Sequence, residues 1–519
     1  MKPFFTLFFI LLFQLYTQAQ NYLVEMVTNL SINNGSNPRW FTEYNNSLYF
    51  FANDGINGHK IFSFSGNNIP TICPNVTGAA VFGDGTTSTN FKMAVLNGKL
   101  YLPILVLAIG RELYKYDGVA IPSIIMDINP GNGSGGPSFL LTHNNKLYFQ
   151  ANSPALGTEL WVHDPIALTT QCLTDINPGA LSSTVSSITV YNNKLYFAAT
   201  NGNDTTFGNT GIELYSYDPA VNTVNLVADI NPGNIGSNPT ALMVANNKLY
   251  FVATDTSYGK ELYEYDGNNV TRLTDVNPGP AQGVYTSDHS FPTYFNGKIY
   301  FAANEPNNDI NLGVFDIASN ATSIVYCSGV GISGTPRYFN VWDNKLIFSN
   351  YSDTAGIEIW ATNGINPPFQ VWDVYPGALG GLPFSSNPKF FTVYDSCLYF
   401  NATNDTSSQE ELFRLSIKKD TLINPNTLSD VQNSMDIQIA PNPVSDVLNV
   451  TISIPFDNTF SYQLTDITGR VIYQKGLQLY QKSTINHQIN LSNIQTGHYF
   501  FILKDKNNRV LFTQKIVRQ

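Results

Sequence analysis

The sequence predicts an all-β protein, an eight-bladed β-propeller followed by a small Ig-like β-sandwich. Three observations carry this reading. A tripeptide recurs along most of the chain, the composition suits short strands and tight turns, and the repeat ends abruptly near residue 417. Leu-Tyr-Phe, or a near variant, begins at Leu48, Leu100, Leu147, Leu195, Leu249, Ile299, Leu346 and Leu398. Eight copies at roughly fifty-residue spacing, with four short strands per copy, describe the blades of a propeller.

Composition points the same way. Charged residues make up 13%, aromatics another 13%, and there are 38 glycines and 28 prolines. That mixture favours strands and turns over helices. No segment beyond the N-terminus sustains a helical period.

Each repeat contains three recognisable segments. Asn-Asn or Asn-Gly precedes most tripeptides, as in Asn246-Asn247 and Asn97-Gly98. Those pairs adopt positive φ cheaply, which a two-residue hairpin turn requires. Next comes Gly110-Arg-Glu112-Leu-Tyr, echoed at Glu159, Glu213, Glu261, Glu358 and, in worn form, Glu411. The first repeat (Lys60-Ile-Phe62) and the sixth (Leu312-Gly-Val314) lack the glutamate. A loop of the form Asp-Ile-Asn-Pro-Gly follows from Asp127, Asp175 and Asp229, with variants from Asp275 and Asp373.

The fifth repeat shows the unit most clearly, with strands a to d expected at 240–245, 248–254, 260–266 and 270–276. In c, Glu261, Tyr263 and Tyr265 share one face while Leu262 and Glu264 take the other. The eighth repeat offers a, b and c but no d. Residues 22–30 form a spare strand before the first repeat. Pairing the spare strand beside 411–417 would close the ring and hide edges that invite aggregation.

These repeats resemble those of bacterial proteins with Glu-Leu-Trp-x-x-Asp-Gly-Thr repeats. Glu159-Leu160-Trp161 carries the likeness most directly, and it extends over roughly 22–416. Tyr often replaces the Trp, and the final Thr is absent, as at Val119 and Asn268. The resemblance implies the propeller fold and assigns no activity.

The two ends concern export. Lys2, an apolar run over 4–15 and Thr17-Gln18-Ala19 form a secretory signal peptide, with cleavage expected after Ala19. The run is shorter than the roughly 20 residues a membrane span needs, and no other segment reaches that length. At the other end, polar residues 417–435 read as a linker. Alternating strands follow at 447–454, 459–466, 471–474, 483–490, 497–504 and 510–517. The expected organisation is therefore a signal peptide (1–19), a propeller (20–416), a linker (417–435) and a C-terminal domain (436–519).

That last domain carries Pro441-Asn442-Pro443 before its first strand and Gly469-Arg470 at a turn. Gly497-x-Tyr499 leads into the penultimate strand, and Lys515-Ile-Val-Arg518 ends the chain. Together they resemble the C-terminal sorting domain of type IX secretion cargo in Bacteroidetes. The resemblance implies Sec export to the periplasm and passage through the outer membrane by the type IX machinery. It also implies a secreted or cell-surface destination, usually with removal of the domain and attachment to surface polysaccharide.

The net charge of −11 is uneven. Residues from Asp436 onward carry eight bases against five acids, so the propeller region is strongly acidic. That balance argues against nucleic acid or anionic membranes as partners.

Chemistry is sparse. No serine-hydrolase elbow, zinc motif or phosphate loop is present, and the six histidines are scattered singly. A catalytic carboxylate pair would occur once per ring, whereas the glutamates recur, so they are expected to make structural hydrogen bonds. The Asp-x-Asn spacing could present oxygens to calcium, but turn formation explains it without a metal. The expectation is no cofactor, with calcium as the alternative at those loops.

Cys73, Cys172, Cys327 and Cys397 fall on strands too far apart for disulfides. The functional expectation is a secreted or surface binding protein for a glycan or protein. The alternatives are a polysaccharide hydrolase or lyase, or a surface-layer component. Loops carry specificity over rigid scaffolds, so the irregular segments 201–210 and 280–290 nominate Asn203, Phe207, Tyr285 and His289 as ligand contacts.

Overall fold

The computed structural model describes residues 22–28, 30, 35–56, 58–66, 69–74, 80–81, 92–202, 210–286, 289–327, 333–405, 409–418, 436–454, 458–466, 470–479, 483–505 and 510–519. The N-terminal export segment, Asn203, Phe207, Gly469 and nearly all of the expected linker lie outside these residues. By internal contacts the chain divides into two compact units, Met1–Asp420 and Thr421–Gln519.

Among the described residues, the first unit has eight antiparallel sheets of four or five strands, arranged like the blades of a propeller, and a two-stranded hairpin of Ala378–Leu379 and Leu382–Pro383. In the fifth, a is Thr240–Ala245, b Lys248–Asp255, c Gly259–Tyr265 and d Val270–Arg272. Strand d stops short of the expected 276 because the Asp275-Val-Asn-Pro-Gly loop departs there. Positive φ at Asn246 and Asn247 makes the a–b turn.

The recurrent tripeptide is apolar on both faces of b for a physical reason. Leu249, Phe251 and Ala253 pack toward the fourth sheet, while Tyr250 and Val252 pack toward the sixth. All five are fully buried. Burial between neighbours replaces the usual apolar–polar alternation with a continuous run. Each large side chain buried this way stabilises by about 1.5–3 kcal/mol.

Tyr22–Thr28 pairs antiparallel with Glu411–Ile417, from Tyr22 opposite Ile417 to Thr28 opposite Leu412. It thereby becomes the fourth strand of the last sheet, beside Cys397–Ala402 and Lys389–Tyr394. A recurring latch joins consecutive sheets, in which the last residue of a donates to a carbonyl in the next a–b turn. Tyr44 reaches Gly98 at 2.9 Å, Tyr191 reaches Asn247 at 2.9 Å, and the Trp342 indole reaches Ser396 at 3.0 Å. Tyr394 of the eighth sheet reaches Asn46 of the first at 2.6 Å, the same latch across the closing seam.

Among the described residues, the second unit has seven strands in two sheets. One is Asp436–Ala440, Val447–Ile454 and Ser483–Asn490. The other orders Val471–Leu479, Asn458–Asp466, Gly497–Asp505 and Val510–Arg518. Leu448, Val450, Tyr462, Leu464, Phe501 and Ile516 fill the core. The strand at Asp436–Ala440 and the extension to Leu479 go beyond the expected set. All four cysteines are free thiols. No helix among the described residues is long and apolar enough to cross a membrane.

Candidate functional site: clamps and the axial channel

The repeated glutamates are buried clamps. Glu112 accepts the Ile128 N–H at 2.9 Å and the Gly135 N–H at 2.6 Å. Glu358 accepts the Val374 and Ser386 N–H groups, both at 2.8 Å, and the Ser386 hydroxyl at 2.6 Å. Each carboxylate thus ties its own Asp-loop to the crossover into the next sheet. Glu411 does the same for Leu30 and Ser36, which belong to the N-terminal segment. The clamp treats that segment as the missing d strand and its exit.

Cross-strand register places Lys60 and Asn311 at the clamp position in the first and sixth sheets, opposite Ala52 and Ala303. The replacement in the sixth is therefore Asn311, one residue before the expected Leu312. Within the loops the amides brace the turn, as Asn177 donating to Ser182 O at 3.0 Å and Asn231 to Gly236 O at 3.1 Å. Those asparagines thus have a turn role. Among the described residues no group of three or more His, Cys, Asp or Glu is placed to hold a metal.

Burial pushes the Glu159, Glu261 and Glu358 carboxyls up to about 7, against the pull of their hydrogen-bond donors. Glu112, Glu213 and Glu411 are raised for the same reason. A folded-state value above the ordinary 4.5 means that their contribution is complete below that pH. It is lost as pH rises through about 7. The melting temperature should therefore be higher at pH 6 than at pH 8. Glu358→Gln should flatten part of that slope and destabilise by about 1–3 kcal/mol, since the new amide N–H₂ meets a backbone donor. A slope of opposite sign would overturn this assignment.

The a strands surround a channel on the axis of the unit, and here the repeats stop repeating. Six a strands carry a bulge with a non-glycine residue at φ between 53° and 57°: Trp40, Phe139, Ser187, Ala241, Tyr338 and Phe390. That conformation is costly for bulky side chains. It recurs in six sheets, so the backbone is architectural, but an aromatic in four of them is not required by it.

The second and sixth sheets differ, because each splits its a strand. Ala80–Val81 and Ala94–Leu96 share one partner strand, Lys99–Val106. Val284–Tyr285 and Thr293–Phe295 likewise share Lys298–Asn304. Where other sheets have a two-residue bulge, these carry insertions ending in Lys92-Met93 and Phe291-Pro292.

Lys92 and Phe291 both line two cavities of about 560 and 650 Å³. One lobe carries Trp40, His289, Tyr338 and Phe390. The other carries Phe139, Ser187, Ala241, Ile188 and Met243. In the aromatic lobe His289 stacks on Tyr338 at 4.8 Å and 20°, and Phe390 stands edge-on to both at 5.3 Å. Lys92 is open to solvent, yet the surrounding channel wall desolvates its ammonium and lowers its pKa.

Of the expected ligand contacts, His289 lies in this wall rather than on a loop between d and a. Tyr285 is half-buried in a short strand opposite Ala302, outside both cavity linings. Asn203 and Phe207 fall outside the described residues. Sequence reasoning missed Lys92, Trp40, Tyr338 and Phe390. The available signal was the extra length before Ala94 and Thr293.

In the second unit the expected sorting residues hold the terminal strand. Asn442 donates to the Lys515 carbonyl at 2.8 Å and accepts the Val517 N–H at 2.9 Å. Pro441 and Pro443 flank it. Tyr499 donates to Gln495 O at 2.7 Å. Arg470 closes its turn onto Asp466 at 3.1 Å. Gly497 starts the penultimate strand, and the Lys515 side chain is exposed.

Residues 438–519 match the family described as "Secretion system C-terminal sorting domain". The C-terminal unit is accordingly a sorting domain of the type IX secretion system, and the chain is secreted or displayed on the outer surface. No curated protein matches the chain.

Among solved structures, a puromycin hydrolase is similar at 11% identity and a TM-score of 0.44, covering 72% of this chain. This chain spans 59% of that hydrolase's length. PorZ is similar at 14% identity and a TM-score of 0.37, covering 92% of this chain and 69% of its own. It is described as an essential bacterial surface component of the type-IX secretion system of Porphyromonas gingivalis. TolB from Acinetobacter baumannii is similar at 12% identity and a TM-score of 0.29, covering 63% of this chain and 78% of its own. Likeness at this level assigns no activity.

Proposed function

We propose that the chain is an eight-bladed propeller of the Glu-Leu-Trp-x-x-Asp-Gly-Thr-repeat type with an Ig-like sorting domain, and that it binds an extracellular glycan in its axial channel. Export begins with the signal peptide at 1–19, and residues 417–435 link the ring (20–416) to the domain (436–519). The observation that carries this reading is the non-repetitive aromatic wall inside a repetitive scaffold. Ring stability needs the clamps, latches and buried b strands, all of which recur. It does not need Tyr338 and Phe390 at strained positions that Ser187 and Ala241 fill in other sheets.

Cavities of this size, lined by rings and a few polar groups, suit small-molecule or oligosaccharide ligands. The loop residues Asn203, Phe207 and Tyr285 remain proposed secondary contacts, with His289 in the channel itself.

A glycan array probed with the full mature chain should give hits that Tyr338→Ala and Phe390→Ala each weaken at least tenfold. Both variants should melt within a few degrees of the parent. Hits untouched by both substitutions would move the site off the axis.

A further inference from the structure

Resting on that reading, we infer that the channel ligand is an acidic sugar chain, its ring faces against Tyr338 and Phe390 and its carboxylate held by Lys92. The argument starts from what lines the two lobes. Tyr338, Phe390 and Phe291 are half-buried, so part of each ring faces the cavity rather than the core. Flat apolar ring surface matches the CH faces of pyranoses, while Thr42, Thr293 and Asn340 add hydrogen-bonding groups to the same lobe.

Lys92 supplies the charge. Among the described residues it is the one lysine, arginine or carboxylate lining either cavity. Among the described residues no carboxylate is paired with its ammonium, whose departure from the ordinary value has burial as its cause. Elsewhere on the ring the lysines at the start of b are neutralised by a neighbouring acid, as Lys146 by Asp164 at 3.3 Å and Lys194 by Asp218 at 3.1 Å. An ammonium with no described acid beside it, at the junction of two cavities in an acidic protein, is poised for an anion.

Placement adds to this. In the other sheets the equivalent bulge position holds an aromatic, Ser or Ala. Only the sheet with the longest insertion delivers a base there, and it does so where the two lobes meet beside Phe291. A sugar lying along the aromatic lobe would present a ring substituent to that junction. A carboxylate there exchanges water for a charge-assisted hydrogen bond in a partly desolvated site.

Trigalacturonate and its methyl-esterified, uncharged counterpart test the idea by calorimetry on the full mature chain. The acid should bind about tenfold or more tightly than the ester at low salt. Lys92→Met should remove that difference, bringing the acid's affinity down to the ester's. Tyr338→Ala should weaken both ligands together. Equal affinities in the parent chain, or a preference that survives Lys92→Met, would overturn the acidic-sugar inference and leave glycan binding standing. Binding of neither probe, with an array devoid of channel-dependent hits, would overturn both.

Discussion

A mature chain lacking residues 20–30 should lose its ring, melting about 10 °C or more below the parent or aggregating before it melts. The strand Tyr22–Thr28 supplies the whole outer edge of the last sheet. Tyr22 is 4% exposed, packs against Trp342 with the rings tilted at 5.6 Å and donates to Asp343 at 2.8 Å. Arg414 pairs with Glu25 at 2.6 Å across the same strand pair. Removing the segment also deprives Glu411 of its Leu30 partner and leaves Glu411–Ile417 as a bare edge.

Six ladder pairs, a buried tyrosine and a weakened clamp together amount to roughly 5 kcal/mol or more. A bare edge of this kind is a template for pairing between molecules. Calorimetric melting with light scattering reads both consequences. A truncated chain that melts with the parent and stays monomeric would show that the seam is not closed by this strand. Glu411→Ala is the gentler companion, removing the clamp while keeping the strand, and should fall between the two.

The fold was legible because its determinants are local and repeated. An Asn pair needs positive φ wherever it sits, and a b strand buried on both faces writes a continuous apolar run. The glutamates were legible as structural for the same reason, since six equivalent positions make one bond. The Asp436–Ala440 strand was not, because Pro441 and Pro443 directly after it read as the lead into the first strand.

The axial wall was hidden for a different reason. Six of its residues share a backbone conformation but no chemistry, so Trp40, Ser187 and Phe390 form no sequence pattern, and Lys92 stands apart from them. A register shift inside six of the a strands removes the alternation that would have exposed them. The segment 280–290 lacks strand alternation and so predicts a loop. In fact Val284–Tyr285 already begins the strand, and the insertion falls inside it. Gly283 shows how tightly that entry is fixed, since a Cβ there would lie 1.9 Å from Glu261 Oε1.

Deleting Asp436 to Gln519 should leave the protein folded but stranded in the periplasm, with surface display falling to background. The ring has its own clusters of buried side chains, so a chain ending at the linker keeps the latches and clamps that hold it. What it loses is the sorting domain, whose terminal strand is held on both sides. Val510–Arg518 pairs with Gly497–Asp505 along one edge. On the other, Val444 donates to Val517 O at 2.8 Å and Gln519 to Val444 O at 3.0 Å. Asn442 completes that edge with its side chain, donating and accepting as a backbone amide would.

Asn442→Ala should therefore loosen the last strand by about 1–3 kcal/mol and reduce display without touching the ring. Surface proteolysis of intact cells, compared with fractionated periplasm, separates the cases. Full display of the deleted chain would show that the domain is not its export signal. Normal display of the Asn442→Ala chain alongside a stranded deletion would place recognition elsewhere in the domain, on groups such as the exposed Lys515 side chain.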